Sequence, residues 1–236
     1  MPDFHLAQDE ALALTRYLGE QKAQPGNLPA LPAGLDEPVP PAQQIESDTR
    51  FVEIIGEQQS CLTCHARGDR GGVLGPDLVD AGARLKPAWM RRFLLAPSAW
   101  GVADGVMPAL FLRDDGSGHA KPVEKDSTTQ LRRIVDYMQR AGARARNDRD
   151  AALEAATTRY PDVTAEEGRR VFDALACRAC HRFDDHAAVE PAPDLRIEKT
   201  RVRSEWLPAY LSHPWPIRPF GTRPGNGFIE SSGEGG

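Results

Sequence analysis

Apolar side chains recur at the three- and four-residue spacing of amphipathic helices through most of the chain. The pattern predicts helices near residues 12–18, 51–55, 89–95, 131–138, 171–175 and 206–214. Helix-starting residues precede two of them: Ser47 or Asp48 as an N-cap, and Thr164 with Glu167 as a capping box. Strand-type alternation precedes neither of the two cysteine pairs. We therefore expect an all-α fold.

Changes in composition divide the chain into segments. Residues 21–44 are rich in proline, alanine and glycine, which predicts a semi-extended linker. Residues 141–161 are rich in arginine, aspartate and alanine without a clear apolar face, which predicts a solvated connecting helix. We expect domains at residues 45–140 and 162–236, with residues 1–20 forming a separate helical segment.

Charge and composition restrict the functions that the chain can perform. The 236 residues carry a net charge of −5 with a pI near 5.7, which argues against general binding to nucleic acid or to anionic membranes. No run of 18 apolar residues occurs, so we expect no membrane span. The 21 glycines and 20 prolines indicate small, loop-rich domains with thin apolar cores.

All four cysteines belong to two copies of one short pattern. Residues 61–65 read Cys-Leu-Thr-Cys-His, and residues 177–181 read Cys-Arg-Ala-Cys-His. At this spacing two thiols on one helical turn can add to the two vinyl groups of a haem, and the adjoining histidine points its imidazole at the iron. The sequence therefore predicts two covalently attached haems c that fill the thin cores. Their predicted protein ligands and attachment points are Cys61, Cys64, His65, Cys177, Cys180 and His181.

Two other uses of paired cysteines remain open. A zinc ribbon also contains two Cys-x-x-Cys pairs, but it needs no histidine directly after each pair, and the separation of 116 residues exceeds its usual spacing. A thioredoxin-type pair follows a strand of a βαβ unit, and no strand pattern precedes either pair here. A Cys/His metal-binding module without haem is thus the weaker alternative.

The segment after each motif resembles class I cytochromes c. Gly75-Pro76-Asp77-Leu78 follows His65, and Pro193-Asp194-Leu195 follows His181 at almost the same distance. The resemblance implies that Pro76 and Pro193 each offer a backbone carbonyl to the second ring nitrogen of the haem histidine. Such a bond fixes the tautomer and the orientation of the ring. It also implies tandem class I cytochrome c domains, each a few helices around a haem.

A methionine supplies the expected sixth ligand of the first iron. Met107 stands in a Gly-Val-Met-Pro loop, whereas Met90 and Met138 lie inside predicted helices. A thioether stabilises ferrous iron, and His/Met ligation gives the higher potentials of electron-carrying cytochromes c. We therefore expect Met107 opposite His65, with a core-filling methionine as the alternative.

The opening segment resembles the end of another such domain. Leu14-x-x-Tyr17-Leu18 matches Ile134-x-x-Tyr137-Met138, the end of the predicted last helix of the first domain. On this resemblance residues 1–20 are the C-terminal remnant of a preceding cytochrome c domain, with Met1 as its iron ligand. The alternative is an initiator methionine before a surface helix.

The sixth ligand of the second iron is left open by the sequence. No methionine follows Met138, so the second domain looks incomplete at its C-terminal end. His213 and His186 are possible replacements, although His186 stands close behind the proximal histidine. With neither bound, the iron would be five-coordinate and open to small ligands.

These patterns predict an electron-transfer protein and not an enzyme. Each haem would carry one electron between a donor, a dehydrogenase or a quinol-oxidising protein, and a terminal acceptor. Haem attachment in c-type cytochromes follows export, so we expect a periplasmic or otherwise exported protein. The N-terminal residues do not form a signal peptide because acidic residues interrupt them, which places the expected export signal upstream. The enzyme alternative is a dihaem peroxidase with an open second haem.

Overall fold

The computed structural model describes residues 3–21, 32–100, 107–114, 120–122, 126–183, 192 and 194–214. Within these ranges the chain is mostly helical with little strand, which confirms the all-α class. The helices are α1 Gln8–Glu20, α2 Asp48–Val52, α3 Leu78–Arg84, α4 Pro87–Leu95, α5 Ser127–Ala141, α6 Ala143–Arg159, α7 Ala165–Ala174, α8 Glu198–Arg201 and α9 Trp206–Ser212.

Short helical turns and two hairpins connect these helices. A π-helical turn, Glu53–Gln58, continues α2 directly. The 3-10 turns are Pro41–Gln43, Cys61–Thr63, Pro97–Trp100, Cys177–Ala179 and Leu195–Ile197. Strand β1 (Ala66–Arg67) pairs antiparallel with β2 (Arg70–Gly71), and β3 (Leu112–Asp114) pairs antiparallel with β4 (Ala120–Pro122).

One packed group of helices surrounds the first cysteine motif. We call α2, the π-helical turn, α3, α4 and α5 the first unit. Helix α5 packs against α3 and α4. The ring of Tyr137 in α5 stacks on Phe51 in α2 with centroids 4.1 Å apart. The buried face of α5, which includes Leu131, Ile134 and Val135, follows the spacing that predicted this helix.

A second group of helices surrounds the second cysteine motif and includes α1. We call α7, α8, α9 and α1 the second unit. The capping box of Thr164 and Glu167 starts α7 as predicted. Helix α1 packs against α7, α8 and α9. The sequence assigned residues 1–20 to a preceding domain, whereas in the structure this helix lies against the second motif.

The two units meet at the turns that precede α4 and α9. Leu85 and Val202, both buried, form an isolated antiparallel bridge. The Lys86 amide donates to the Arg201 carbonyl at 2.9 Å, and the Arg203 amide donates to the Arg84 carbonyl at 2.9 Å. The two turns therefore exchange equivalent hydrogen bonds across the junction.

The two segments predicted to connect domains differ in burial. Leu35 and Ile45 at the end of the proline-rich segment are 1% exposed, and Arg132 of α5 donates to the carbonyls of Glu37 and Pro38. The described part of that segment, from residue 32, is therefore packed on the first unit. In α6, by contrast, Ala156 is the residue whose side chain is buried.

None of the described helices combines the length and apolar composition that crossing a membrane requires.

Candidate cofactor sites

The two cysteine motifs have the same backbone conformation. Each begins with a non-glycine residue in the left-handed region, Ser60 with φ 55° and Ala176 with φ 51°, and continues as a 3-10 turn. The His65 amide donates to the Cys61 carbonyl at 2.9 Å, and the His181 amide donates to the Cys177 carbonyl at 3.0 Å. Left-handed backbone is costly for a residue with a side chain, so its occurrence at both matching positions marks a shared local design.

The four thiols differ in exposure. Cys61, Cys64 and Cys177 are half-buried, Cys180 is exposed, and all four are free. Burial raises the pKa of the Cys61 thiol to about 11 and also raises that of Cys177. The described residues contain no group of three or more His, Cys, Asp and Glu side chains arranged to hold a bare metal ion.

The imidazole of His65 is held in one tautomer by the loop that follows it. Its Nδ1 lies 2.8 Å from the Pro76 carbonyl oxygen. A carbonyl can only accept, so the hydrogen bond requires the proton on Nδ1. The other ring nitrogen, Nε2, is then unprotonated and is the atom able to bind a metal. The loop proline at position 76 thus makes the contact that the resemblance implied.

The backbone of Gly75 lies very close to the His65 ring, a contact that the sequence analysis did not identify. It forms an isolated parallel bridge with His65, and a Cβ atom built on it would lie 2.4 Å from the imidazole Cε1. A side chain there would displace the ring, so the glycine allows the loop to lie flat against it. The signal available in the sequence was a glycine directly before Pro76 and Asp77, two residues typical of turns.

Asp77 fixes the same loop from its other side. Its carboxylate accepts hydrogen bonds from the amides of Val79 and Asp80 at 2.8 and 3.0 Å and so caps α3. It also accepts one from the Gly68 amide at 3.0 Å, in the turn between β1 and β2. Asp77 therefore holds the loop that contacts His65 to the start of α3 and to the turn between β1 and β2.

An apolar cavity of about 820 Å³, counting the space at its open mouth, lies beside His65. Its walls come from the first motif, α3, α4, the loop after residue 106 and α5. They are Ile55, Cys61, His65, Pro76, Leu78, Ala81, Leu85, Trp89, Met90, Phe93, Leu94, Met107, Pro108, Leu110, Phe111, Ile134 and Met138.

His65 and Met107 line this one cavity although they are far apart in the chain. The spacing between them is bridged by α3 and α4, which turn the chain back over the motif. An imidazole nitrogen and a thioether sulfur on one cavity can act as the two axial ligands of an iron. Cys61 lines the same cavity, so a thiol lies on the same wall as the imidazole and the thioether.

The lining suits a large, flat, mainly apolar group with a few polar edges. The Trp89 Nε1–H is buried and has no acceptor among the described residues. An indole N–H can only donate, and leaving it buried without a partner costs free energy. A haem supplies both an apolar macrocycle and carboxylate acceptors on its propionates. The residues present therefore fit a haem, which Cys61, Cys64, His65 and Met107 would hold.

The second motif repeats part of this arrangement. His181 forms a parallel bridge with Ala192, as His65 does with Gly75. Asp194 caps the 3-10 turn at Leu195 through the Arg196 amide, as Asp77 caps α3. Burial alone would raise the pKa of the Asp194 carboxyl, but its hydrogen bonds with Arg196 lower that pKa overall. Cys177, Cys180 and His181 are the residues that would hold a second haem.

Three residues that the sequence analysis considered as an iron ligand or as a partner of the haem histidine lie outside the part of the chain that the structure describes. They are Pro193, His186 and Met1. His213 is exposed at the C-terminal end of α9, where its amide donates to the Ala209 carbonyl at 3.1 Å. The structure gives His213 no position in the interior of the second unit.

Aromatic side chains pack directly around the second motif. Tyr17 of α1 lies 5.4 Å from Phe172 and 5.6 Å from Phe183, measured between ring centroids. The guanidinium of Arg178, inside the motif, lies over the rings of Phe172 and Phe183 at 5.7 and 5.1 Å. Burial raises the pKa of the Tyr17 phenol, and the nearby Arg178 charge opposes that shift.

Comparisons of the chain with protein-family models, with curated proteins and with solved structures gave no match.

Proposed function

We propose that this chain is an electron-transfer protein that carries two covalently attached haems c, one on each cysteine motif. The observation that carries the proposal is the pairing of His65 and Met107 on one apolar cavity beside Cys61. The hydrogen bond from His65 Nδ1 to the Pro76 carbonyl, at 2.8 Å, leaves Nε2 free for iron. Bound haem supplies the redox chemistry, since its iron alternates between the ferric and ferrous states.

The chain's own residues would set the properties of the first site. Cys61 and Cys64 fix the position of the group, and His65 and Met107 provide a basic nitrogen and a neutral sulfur. A thioether favours ferrous iron, and an apolar wall disfavours the extra charge of the ferric state, so both raise the reduction potential. Trp89 would donate from Nε1 to a polar edge of the group.

The proposed second haem would be held by Cys177, Cys180 and His181 in a turn of the same backbone conformation. Two carriers in one chain suit a relay between a dehydrogenase or quinol-oxidising donor and a terminal acceptor. Covalent attachment of this kind follows export, so we propose a periplasmic location. These partners and this location rest on the resemblance to class I cytochromes c.

Mass spectrometry of protein from an export-competent host tests the attachment. We expect a mass that exceeds the bare polypeptide by two haems, and exchange of Cys61 and Cys64 for alanine removes one of them. A colourless product with the mass of the polypeptide alone would contradict the proposal and favour the haem-free metal-binding module.

The Met107→Ala variant tests the assignment of the sixth ligand. We expect the reduction potential of one haem to fall by more than ~59 mV, a tenfold change in its ferric-to-ferrous ratio, because the thioether no longer favours ferrous iron. The matched control is Met90→Leu, which conserves the volume of a buried methionine on the same cavity. Equal potentials in Met107→Ala and the unaltered protein would exclude Met107 as a ligand.

A ferric spectrum and a peroxide assay separate the carrier from an enzyme. An electron carrier turns over no peroxide. Peroxide turnover together with a high-spin second haem would instead indicate the dihaem peroxidase.

A further inference from the structure

We propose that α1, the first helix of the chain, closes the binding site of the second haem, and that Leu14 and Leu18 form part of that site's wall. This inference rests on the proposed function. It goes beyond it by assigning residues far upstream of the second motif to the environment of the second haem.

Helix α1 is buried to the extent expected of a helix in a protein core. Its contacts with α7 are the most extensive of any helix pair among the described residues, and it also packs against α8 and α9. Six of its residues are buried: Ala11, Leu12, Ala13, Leu14, Thr15 and Leu18. The Arg16 guanidinium donates to the Val163 carbonyl, just before α7 begins. Burial of this extent ties α1 to the second unit by several faces.

Gly168 shows how closely α1 and α7 approach. A Cβ built on this glycine of α7 would lie 2.0 Å from the Ala13 carbonyl oxygen of α1. Any larger residue would force the two backbones apart. The glycine is therefore matched to a partner helix at this one place, and α1 is that partner.

Helix α1 occupies the position relative to the second motif that α5 occupies relative to the first. Tyr137 of α5 stacks on Phe51 and accepts a hydrogen bond from Arg67, the second residue after His65, at 3.3 Å. Tyr17 of α1 packs on Phe172 and on Phe183, the second residue after His181. In each unit the tyrosine of the closing helix thus touches the helix before the motif and the chain just after it.

The neighbours of the two closing helices also correspond. Helix α5 packs on α4, where Trp89 stacks on Phe93 at 4.6 Å. Helix α1 packs on α9, where Trp206 stacks on Tyr210 at 4.2 Å. The Nε1–H groups of both tryptophans are buried without an acceptor in the described part of the chain. In each unit, therefore, the closing helix packs against a helix that carries a buried tryptophan whose Nε1–H has no acceptor among the described residues.

The correspondence assigns a role to two leucines. Aligning Tyr17 with Tyr137 places Leu14 opposite Ile134 and Leu18 opposite Met138. Ile134 and Met138 both line the cavity beside His65. Leu14 and Leu18 are 2% and 4% exposed on the face of α1 that packs into the second unit. They are therefore the residues of α1 that would exclude water from the second haem.

The test compares matched substitutions in the full-length protein with both haems attached. Leu14→Gln and Leu18→Gln are compared with Ile134→Gln and Met138→Gln, and circular dichroism checks the fold of each variant. The Met107→Ala background identifies the potential that belongs to the first haem. We expect the leucine variants to lower the potential of the second haem by more than ~59 mV, a tenfold change in its ferric-to-ferrous ratio, and to leave the first unchanged. The α5 variants should do the reverse.

Hydrogen exchange supplies a second readout, and its first measurement uses the unaltered protein. In the unaltered two-haem protein we expect slow exchange of the α1 amides. In Gly168→Leu we expect those amides to lose protection while the α5 amides keep theirs. Fast exchange of α1 in the unaltered protein, or folded leucine variants with both potentials unchanged, would overturn the inference. Absence of attached haem would instead overturn the proposed function, so the two failures are distinguishable.

Discussion

At the scale of single residues, the contact between a loop backbone and an imidazole defines the first site. Gly75 lies against the ring of His65, and the next residue accepts the Nδ1 hydrogen bond. The tautomer and the orientation of the ligand are both consequences of this approach. The matching residue of the second unit, Ala192, carries a Cβ, so the close contact of a glycine with the ring is particular to the first site.

The Gly75→Val variant should displace His65. A branched side chain meets the imidazole where a Cβ alone would already lie 2.4 Å from Cε1. Overpacking of this kind costs about 1–3 kcal/mol, and we expect the free energy of unfolding to fall by that amount in a denaturant titration. The ligand-field spectrum of the first haem should change as well.

The control for this variant is Gly19→Ala. Gly19 lies in α1 with no atom within 4 Å of a built Cβ. Alanine is the better helix former, so this variant should be neutral or stabilising by up to about 1 kcal/mol. Equal stability of Gly75→Val and the unaltered protein would show that the loop does not constrain the ring.

At the scale of elements, the loop after each cysteine motif ends in an aspartate that caps the next helical turn. Asp77 accepts from Val79, Asp80 and Gly68, and so joins the turn after the first motif to the start of α3. This cap positions the segment between Gly75 and α3, and with it the carbonyl that orients His65. The Asp77 carboxylate thus connects three elements: the start of α3, the turn between β1 and β2, and the loop that contacts His65.

The Asp77→Ala variant should lower the free energy of unfolding by about 1–2 kcal/mol, the usual cost of removing an N-cap. Thermal or denaturant unfolding measures the change. Asp69→Ala serves as the control, because Asp69 is exposed in the neighbouring hairpin turn. If both variants lose the same stability, the effect is one of surface charge and not of capping.

The hydrophobic pattern predicted a helix near residues 51–55 but not that its second half is π-helical. The turn Glu53–Gln58 is π-helical and continues α2, and it buries Ile54 and Ile55. A π-helical turn adds a residue to the helix, which shifts the register between the apolar positions and the motif that follows.

At the scale of the whole molecule, the two units meet at a pair of equivalent turns, and α6 contacts helices of both units. The Leu85–Val202 bridge, with its two flanking 2.9 Å hydrogen bonds, joins equivalent turns of the two units. The Lys86 ammonium adds a hydrogen bond to the Lys199 carbonyl at 2.6 Å, and Arg84 lies over the Trp206 ring at 5.4 Å.

The Val202→Asp variant should uncouple the two units. Val202 is 2% exposed, and burying an unpaired carboxylate there costs more than ~2 kcal/mol. Scanning calorimetry of the two-haem protein should change from one transition to two, while both haem spectra remain. Ala151→Asp on the exposed side of α6 is the control and should keep one transition. A single transition in Val202→Asp would mean that the junction carries little coupling.

Local sequence patterns predicted the helices and the chemistry of the motifs. The spacing of apolar residues identified the buried faces of α4, α5 and α7, and the cap at Thr164 identified the start of α7. These features depend on neighbours within one or two helical turns, so they can be read without knowing the fold. The two-haem interpretation rests on the same local information and stays a prediction.

Only the tertiary structure decided which segments share a site. An apolar face requires burial but does not specify its partner, so the sequence could not show that α1 lies on α7 or that residues 32–44 pack on the first unit. Nor could it show that His65 and Met107 reach one cavity, or that Gly75 touches the imidazole. Those contacts join residues distant in the chain, and their formation depends on how whole helices pack against one another.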